Sequence, residues 1–203
     1  MVNRIKWALL LAALIGLQPA WASTQDAVEL VRSTSNQVLE KIIDKKQELN
    51  QSPEKIFDLV NATVAPHFDF PRMSRMVLGK YWRKASDEQK RAFIEQFQAL
   101  LVRTYAIALL NYSDQAIIYL PPRTQTDRSK VMVRTEVKSS GAPSIPINYR
   151  LRLNEGSWKV YDVIIDNISL VSNYRTGFSN QIRRKGLDSL IAQLKEKNDK
   201  VTQ

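Results

Sequence analysis

The chain has 203 residues, no cysteine, one histidine, and 30 lysines and arginines against 20 acidic residues, a formal net charge of +10. Without cysteine there is no disulfide, no thiolate nucleophile and no zinc site with the usual nitrogen and sulfur ligands, so stability must rest on a core. With 44% hydrophobic residues, one domain of this length can build such a core, and the basic balance calls for an anionic partner.

The first residues, MVNRIK, precede the apolar run WALLLAALIGL from Trp7 to Leu17, and QPAWAS follows, with Ala20 and Ala22 framing an A-x-A site. This is the pattern of a secretory signal peptide over residues 1–22, with the mature chain starting at Ser23. Eleven apolar residues fall well short of the roughly 20 that a membrane-spanning helix needs. No cysteine follows the cleavage site to carry a lipid anchor. Cleavage removes Arg4 and Lys6 and no acid, which lowers the charge to +8. An exported basic chain meets lipid headgroups, wall polymers or acidic protein faces rather than nucleic acid.

From Thr24 to Leu49 apolar residues recur at Val28, Val31, Val38, Ile42 and Leu49, which predicts an amphipathic helix with a narrow buried face. Ser52-Pro53-Glu54 supplies an N-cap and a proline for a second helix over KIFDLVNATVAPHF, which Pro66 ends or kinks. RMSRMVLG predicts a short helix stopped by Gly79. The S-x-x-Q spacing from Ser86 to Gln89 is a capping box. It opens a long helix with Phe93, Phe97, Leu100, Thr104 and Ile107 on one stripe and Ile94, Leu101, Tyr105 and Leu109 on the next. No segment beyond the leader is expected to span a bilayer.

The pattern changes at Ser113. QAIIYL, KVMVRTEVK, IPINYRLRL and WKVYDVIID alternate apolar and polar residues between turn signals at Pro121-Pro122, Gly141-Ala142-Pro143 and Asn154-Glu155-Gly156. That period predicts antiparallel strands with one buried face. The last strand, apolar on both sides, is expected inside the sheet, with Asp162 on the face of Val160 and Ile164. Two helices, from about Leu170 and Leu187, close the chain.

The expected fold is therefore α+β: residues 23–112 mainly helical, 113–166 a curved four-stranded or slightly larger antiparallel sheet, and 167–198 C-terminal helices, in a single domain over 23–203. A long helix across a curved sheet leaves an apolar hollow where small hydrophobic ligands bind. His67 is expected as a helix-end residue, and no G-x-S-x-G elbow or phosphate-binding glycine loop is present. Asp162 and Asp166 lie four apart along a strand. They support either a salt bridge or, in an enzyme of this architecture, proton abstraction with Asp162 as base.

Three segments, FDFPRMSRMVLGKYWRKASDEQ (68–89), WKVYDVIIDNISLVSNYR (158–175) and GLDSLIAQL (186–194), together resemble the soluble periplasmic phospholipid-binding proteins of the Mla pathway, the toluene-tolerance family. The resemblance covers nearly the whole mature chain. It implies a fold similar to the nuclear-transport-factor-2 type around a deep apolar pocket. It also implies a periplasmic, monomeric carrier of phospholipid between an outer-membrane lipoprotein-porin complex and an inner-membrane ABC transporter with an MCE-domain subunit. No metal, cofactor or nucleic acid is implied. Asn167 stands where the family usually has glycine; asparagine also tolerates a left-handed turn. Gly177 stands where a longer polar side chain is common.

The expected lipid-binding residues are Phe70, Met73, Met76, Val77, Phe97, Leu101, Tyr105, Val133, Tyr149, Leu151, Val163, Ile165, Leu170 and Tyr174. Ordinary core packing would give each the same periodicity. Arg72, Arg75, Lys80, Arg83 and Lys84 remain for a surface that meets headgroups or partner faces.

Overall fold

The computed structural model describes residues 23–110, 115–121, 127 and 129–200, so the leader at residues 1–22 lies outside the described residues. The chain begins with helix α1, Thr24–Asp44, closed at its start by a capping box between Ser23 and Asp26. The helix expected to run on to Leu49 breaks at Lys45 instead, and α2, Lys46–Gln51, follows. The break lets Leu49 pack with Ile56 and Phe57, which a straight helix would carry away from α3, Lys55–Thr63. Ser52 contributes to the start of α3 through its carbonyl, which accepts from the Lys55 amide, and no side-chain cap forms.

Pro66 ends α3 as expected and places a 3-10 turn at Ala65–His67. Phe68 is then extended and pairs in parallel with Val160. Asp69 caps α4, Phe70–Leu78, by accepting from the Arg72 amide at 3.0 Å. Gly79 stops α4 with φ +53°, a conformation that resists any Cβ, and a second 3-10 turn spans Gly79–Tyr81. The capping box of α5, Asp87–Leu110, forms in full: Gln89 N–H donates to the Ser86 hydroxyl at 3.2 Å and Ser86 N–H to Gln89 Oε1 at 3.0 Å.

The buried face of α5 turns along its length. Phe93, Phe97, Leu100 and Leu101 enter one core cluster, whereas Val102 and Ala106 enter another, leaving Thr104 and Ile107 exposed against the expected stripe. By length and composition α5 could cross a membrane, contrary to the sequence-based expectation. In the fold those six residues are buried, and Ile94, Tyr105, Leu109 and Leu110 pack partly buried against the clusters.

The sheet has five strands in the order β1-β2-β3-β4-β5, all antiparallel: Ala116–Tyr119, Lys130–Lys138, Ile145–Asn154, Ser157–Ile165 and the two-residue Ile168–Ser169. Strand β4 is closed on its outer edge by β5 and Phe68. It also carries an irregularity that the alternation hides. Leu151 faces Val160, but Arg150 faces Asp162, so Tyr161 is an extra, bulged residue. The bulge keeps Val160 and Val163 on the inner face and turns Asp162 to the other, correcting the expected placement of Asp162 beside Val160. After a corner with Asp166 at φ 47° and Asn167 at φ 65°, α6, Leu170–Lys185, starts from a Ser169 cap, and α7, Leu187–Lys200, follows Gly186.

Three clusters hold the described residues together. The first joins α4, α5, α6 and α7 around Met73, Val77, Phe93, Phe97 and Phe178. The second joins α1 to the inner sheet face through Val28, Val31, Val131, Val133, Leu151 and Val160. The third joins α1, α2, α3 and the end of α5 through Val38, Ile42, Leu49, Ile56 and Ala106.

Candidate functional site

A cavity of about 440 Å³ occupies the seam between the second and third clusters. Its helical wall is a single stripe of α1, with Leu30, Thr34 and Val38 one turn apart, joined by Val31, Ser35 and Leu39. The opposite wall is the inner sheet face: Ile117, Val137, Ile145, Ile147, Tyr149 and Val160. Cross-strand register sets these side by side, Ile117 facing Val137 and Val137 facing Ile145. Val64, His67 and Phe68 complete the lining, together with Ala108 and Leu109 of α5, Gln115 and Ser139. Of the lining residues Ile145 is 49% exposed and Ala108 is exposed, so the cavity has an apolar lip.

The volume lies within the usual range for ligand pockets of roughly 300–1,000 Å³, and the walls are dominated by aliphatic and aromatic side chains. Polar groups are few. Burial pushes the Tyr149 phenol up to about 12, with the Tyr119 ring hydroxyl adding to the effect, so it stays neutral across ordinary pH. His67 sits half-buried on the lining; burial, then the positive charge of Lys159, holds its imidazole below the usual histidine range. Such a lining has much apolar surface to cover a hydrocarbon chain and little with which to do chemistry.

Asp162 is fully buried on the other side of β4, and its carboxylate is fully engaged. Oδ1 accepts from the Val171 amide at 3.1 Å, and Oδ2 accepts from the Ser169 hydroxyl at 2.8 Å and from Arg150 Nη1 at 3.1 Å. It is a staple between β4 and the start of α6, and it does not line the cavity. Among the described residues no group of three or more metal-ligating side chains comes together.

Of the expected lipid-binding residues, Tyr149 lies on the cavity lining. Val133, Leu151, Val163 and Leu170 belong to the sheet-side cluster beside it, Val133 and Val163 flanking Tyr149 in the ladder, and Ile165 packs against that cluster. Phe70, Met73, Val77, Phe97 and Leu101 lie in the helical cluster, with Met76 packed on it. Tyr105 and Tyr174 touch both clusters. Arg72 lies over the Tyr161 ring at 5.3 Å and Lys80 over Tyr81 at 5.3 Å, while Arg75, Arg83 and Lys84 are exposed on α4 and the turn after it. None of these five lines the cavity.

The stripe of α1 and residues 145 and 147 were not singled out from the sequence. Their signal was present, as helical spacing at 30, 34 and 38 and alternation at 145, 147 and 149, but that signal marks burial and carries no mark of a void.

A family model described as "MlaC protein" matches residues 32–196. The chain is 29% identical over 167 residues to the "Toluene tolerance protein ttg2D" of Pseudomonas putida, covering 82% of this chain and 77% of that one. It is 25% identical over 198 residues to the "Intermembrane phospholipid transport system binding protein MlaC" of Haemophilus influenzae, covering 94% and 92%. Among solved structures, a phospholipid-binding protein from Ralstonia solanacearum in complex with a phospholipid superposes with a TM-score of 0.79 at 31% identity, over 87% of this chain and 99% of that one.

Proposed function

Because the chain belongs to the MlaC protein family, we propose that it is a phospholipid carrier, exported to the periplasm, that holds acyl chains in the cavity between α1 and the inner sheet face. The observation that supports this most is the apolar seam of about 440 Å³ with its exposed apolar lip. Tyr149 would touch the lipid directly, with Val133, Leu151, Val163, Ile165 and Leu170 as the packed cluster beside it. The helical cluster containing Phe70, Met73, Met76, Val77, Phe97 and Leu101 would hold the frame on which the cavity opens, coupled to it through Tyr105 and Tyr174.

The cycle needs capture and release and no covalent step. Burying one CH₂ group is worth about 0.8 kcal/mol, so two chains of about sixteen carbons represent more than about 20 kcal/mol of gross transfer energy. A lipid leaving a bilayer gives up an equally apolar environment, and the carrier has only to match it. Small biases from partners then decide where the lipid is released. In this reading the partners are an outer-membrane lipoprotein-porin complex and an inner-membrane ABC transporter with an MCE-domain subunit. Arg75 and Lys80 belong to the surface that meets an acidic partner face.

An enzymatic reading with Asp162 as base has no support in the geometry, since all the donors around that carboxylate point at it and the cavity lies on the opposite face.

Mass spectrometry of the purified chain, native and then after organic extraction, tests the proposal. Stoichiometric phospholipid released on denaturation is expected. A lipid-free mass under gentle conditions, with no uptake from vesicles, would overturn it.

A further inference from the structure

Part of the cavity lining carries groups suited to an anion. The 3-10 turn Ala65–His67 crosses the outer edge of β4, where Phe68 pairs with Val160 and the Asp69 amide donates to the Val160 carbonyl at 2.8 Å. The crossing sets the His67 imidazole on the lining while leaving it partly exposed. From the neighbouring position on β4, Lys159 reaches over the same edge, and its ammonium donates to the Pro66 carbonyl at 2.6 Å.

Lys159 does not stand alone. Arg152 lies directly opposite it in the ladder, and Lys130 lies opposite Arg152, so three cations stand abreast across three strands. Like charges in register destabilise a sheet. Lys130 is met by Asp127 at 2.7 Å, but Arg152 approaches Asp69 only to 3.8 Å, and Lys159 donates to a neutral carbonyl. The row stands on the outer face of the sheet, and at its β4 end the Lys159 side chain reaches over the edge toward the Pro66 carbonyl beside His67. A neutral imidazole carries one N–H to donate, and an ammonium–phosphate hydrogen bond is stronger than an ammonium–carbonyl one.

The geometry points to a phosphate seat beside this part of the lining, formed by the His67 imidazole and the Lys159 ammonium, that binds the phosphodiester of a lipid whose chains fill the cavity. The inference rests on the carrier reading above and adds to it what the cavity selects. His67 donates one hydrogen bond to a phosphate oxygen, and Lys159 exchanges the Pro66 carbonyl for another. Whatever group lies beyond the phosphate projects into solvent. The carrier would then prefer phosphorylated lipids over neutral lipids with identical chains, and be tolerant of the alcohol esterified to the phosphate.

The test loads the mature chain from vesicles of equal parts phosphatidylglycerol and diacylglycerol and quantifies the lipid extracted. The native chain is expected to take up phosphatidylglycerol preferentially. Lys159→Gln should lower the phosphatidylglycerol-to-diacylglycerol ratio about fivefold, the loss of one part-exposed charge-assisted hydrogen bond. A ratio unaltered by the substitution overturns the seat, whereas a native chain that loads neither lipid overturns the carrier reading itself.

A second measurement needs no variant, because the chain has a single histidine. The ¹⁵N resonances of its imidazole should shift on loading phosphatidylglycerol and stay in place on loading diacylglycerol. Equal positions with both lipids, or the same shift with inorganic phosphate alone, would overturn the headgroup assignment, the latter in favour of a free-phosphate site.

Discussion

Asp162 is carried out of the apolar ladder by one bulged residue, Tyr161, and ends under the first turn of α6. Removing its carboxylate leaves the Val171 amide and the Ser169 hydroxyl without an acceptor, while the partly exposed Arg150 can return to water. Asp162→Ala should therefore cost about 2–3 kcal/mol of stability, read from urea unfolding, with lipid loading of the folded protein unchanged. Asp162→Asn, which keeps one acceptor oxygen, should cost less. Loss of loading at intact stability would return Asp162 to the functional site. His67 gives a prediction of opposite chemistry. Its folded-state pKa is depressed by burial and by Lys159, so below about pH 6.5 the unfolded chain binds the proton more readily than the folded one. The contribution is present above that pH and is lost as pH falls. Urea midpoints compared at pH 7.5 and pH 5 should drop more for the native chain than for His67→Gln; equal drops would show that the imidazole is as free in the fold as in the coil.

At the level of elements, most of the architecture was legible because it follows from local rules. Gly79 and Pro66 ended their helices, Ser86 and Gln89 closed a capping box, and the alternation over 131–153 placed β2 and β3 with the correct inward residues. The failures share a cause. A bulge at Tyr161 leaves no trace in a strand that is apolar on both faces, and the rotation of the buried face of α5 depends on which clusters it passes between. A lining residue and a packed one also have the same periodicity, since each is screened from water. Substitution separates them. Val163 is buried in the sheet-side cluster, so Val163→Trp overpacks it and should cost about 1–3 kcal/mol. Ile147, two positions from Tyr149 on the same face, looks into the void. Ile147→Trp should cost less than Val163→Trp in a urea titration, because the ring enters empty volume, and should lower extracted lipid severalfold. A larger stability cost for Ile147→Trp would mean that the seam is closed in solution.

For the whole molecule, the position of the cavity matters more than its size. It separates the cluster that binds α1 to the sheet from the cluster that binds α1 to α3 and α5, so the same helix faces void between two regions of packed core. The helical cluster of α4 to α7 shares none of its fully buried residues with the lining. A lipid in the seam should thus weld α1 and β1 to the rest of the fold while leaving α7 almost unaffected. Ligand at about a hundred times its dissociation constant adds about 2.7 kcal/mol to a folded state that alone binds it. For a chain of this size each kcal/mol raises the melting temperature by about 2–4 °C, so complete delipidation should lower it by about 5–10 °C. Calorimetry of loaded and stripped protein gives the magnitude, and hydrogen exchange gives the location. Protection gained on loading in α1 and β1, with α7 unchanged, is the expected signature of a ligand acting as the missing part of the core. A shift of the same size spread evenly over α7 would instead mean that the lipid enters the helical cluster, through Phe97, Tyr105 and Tyr174.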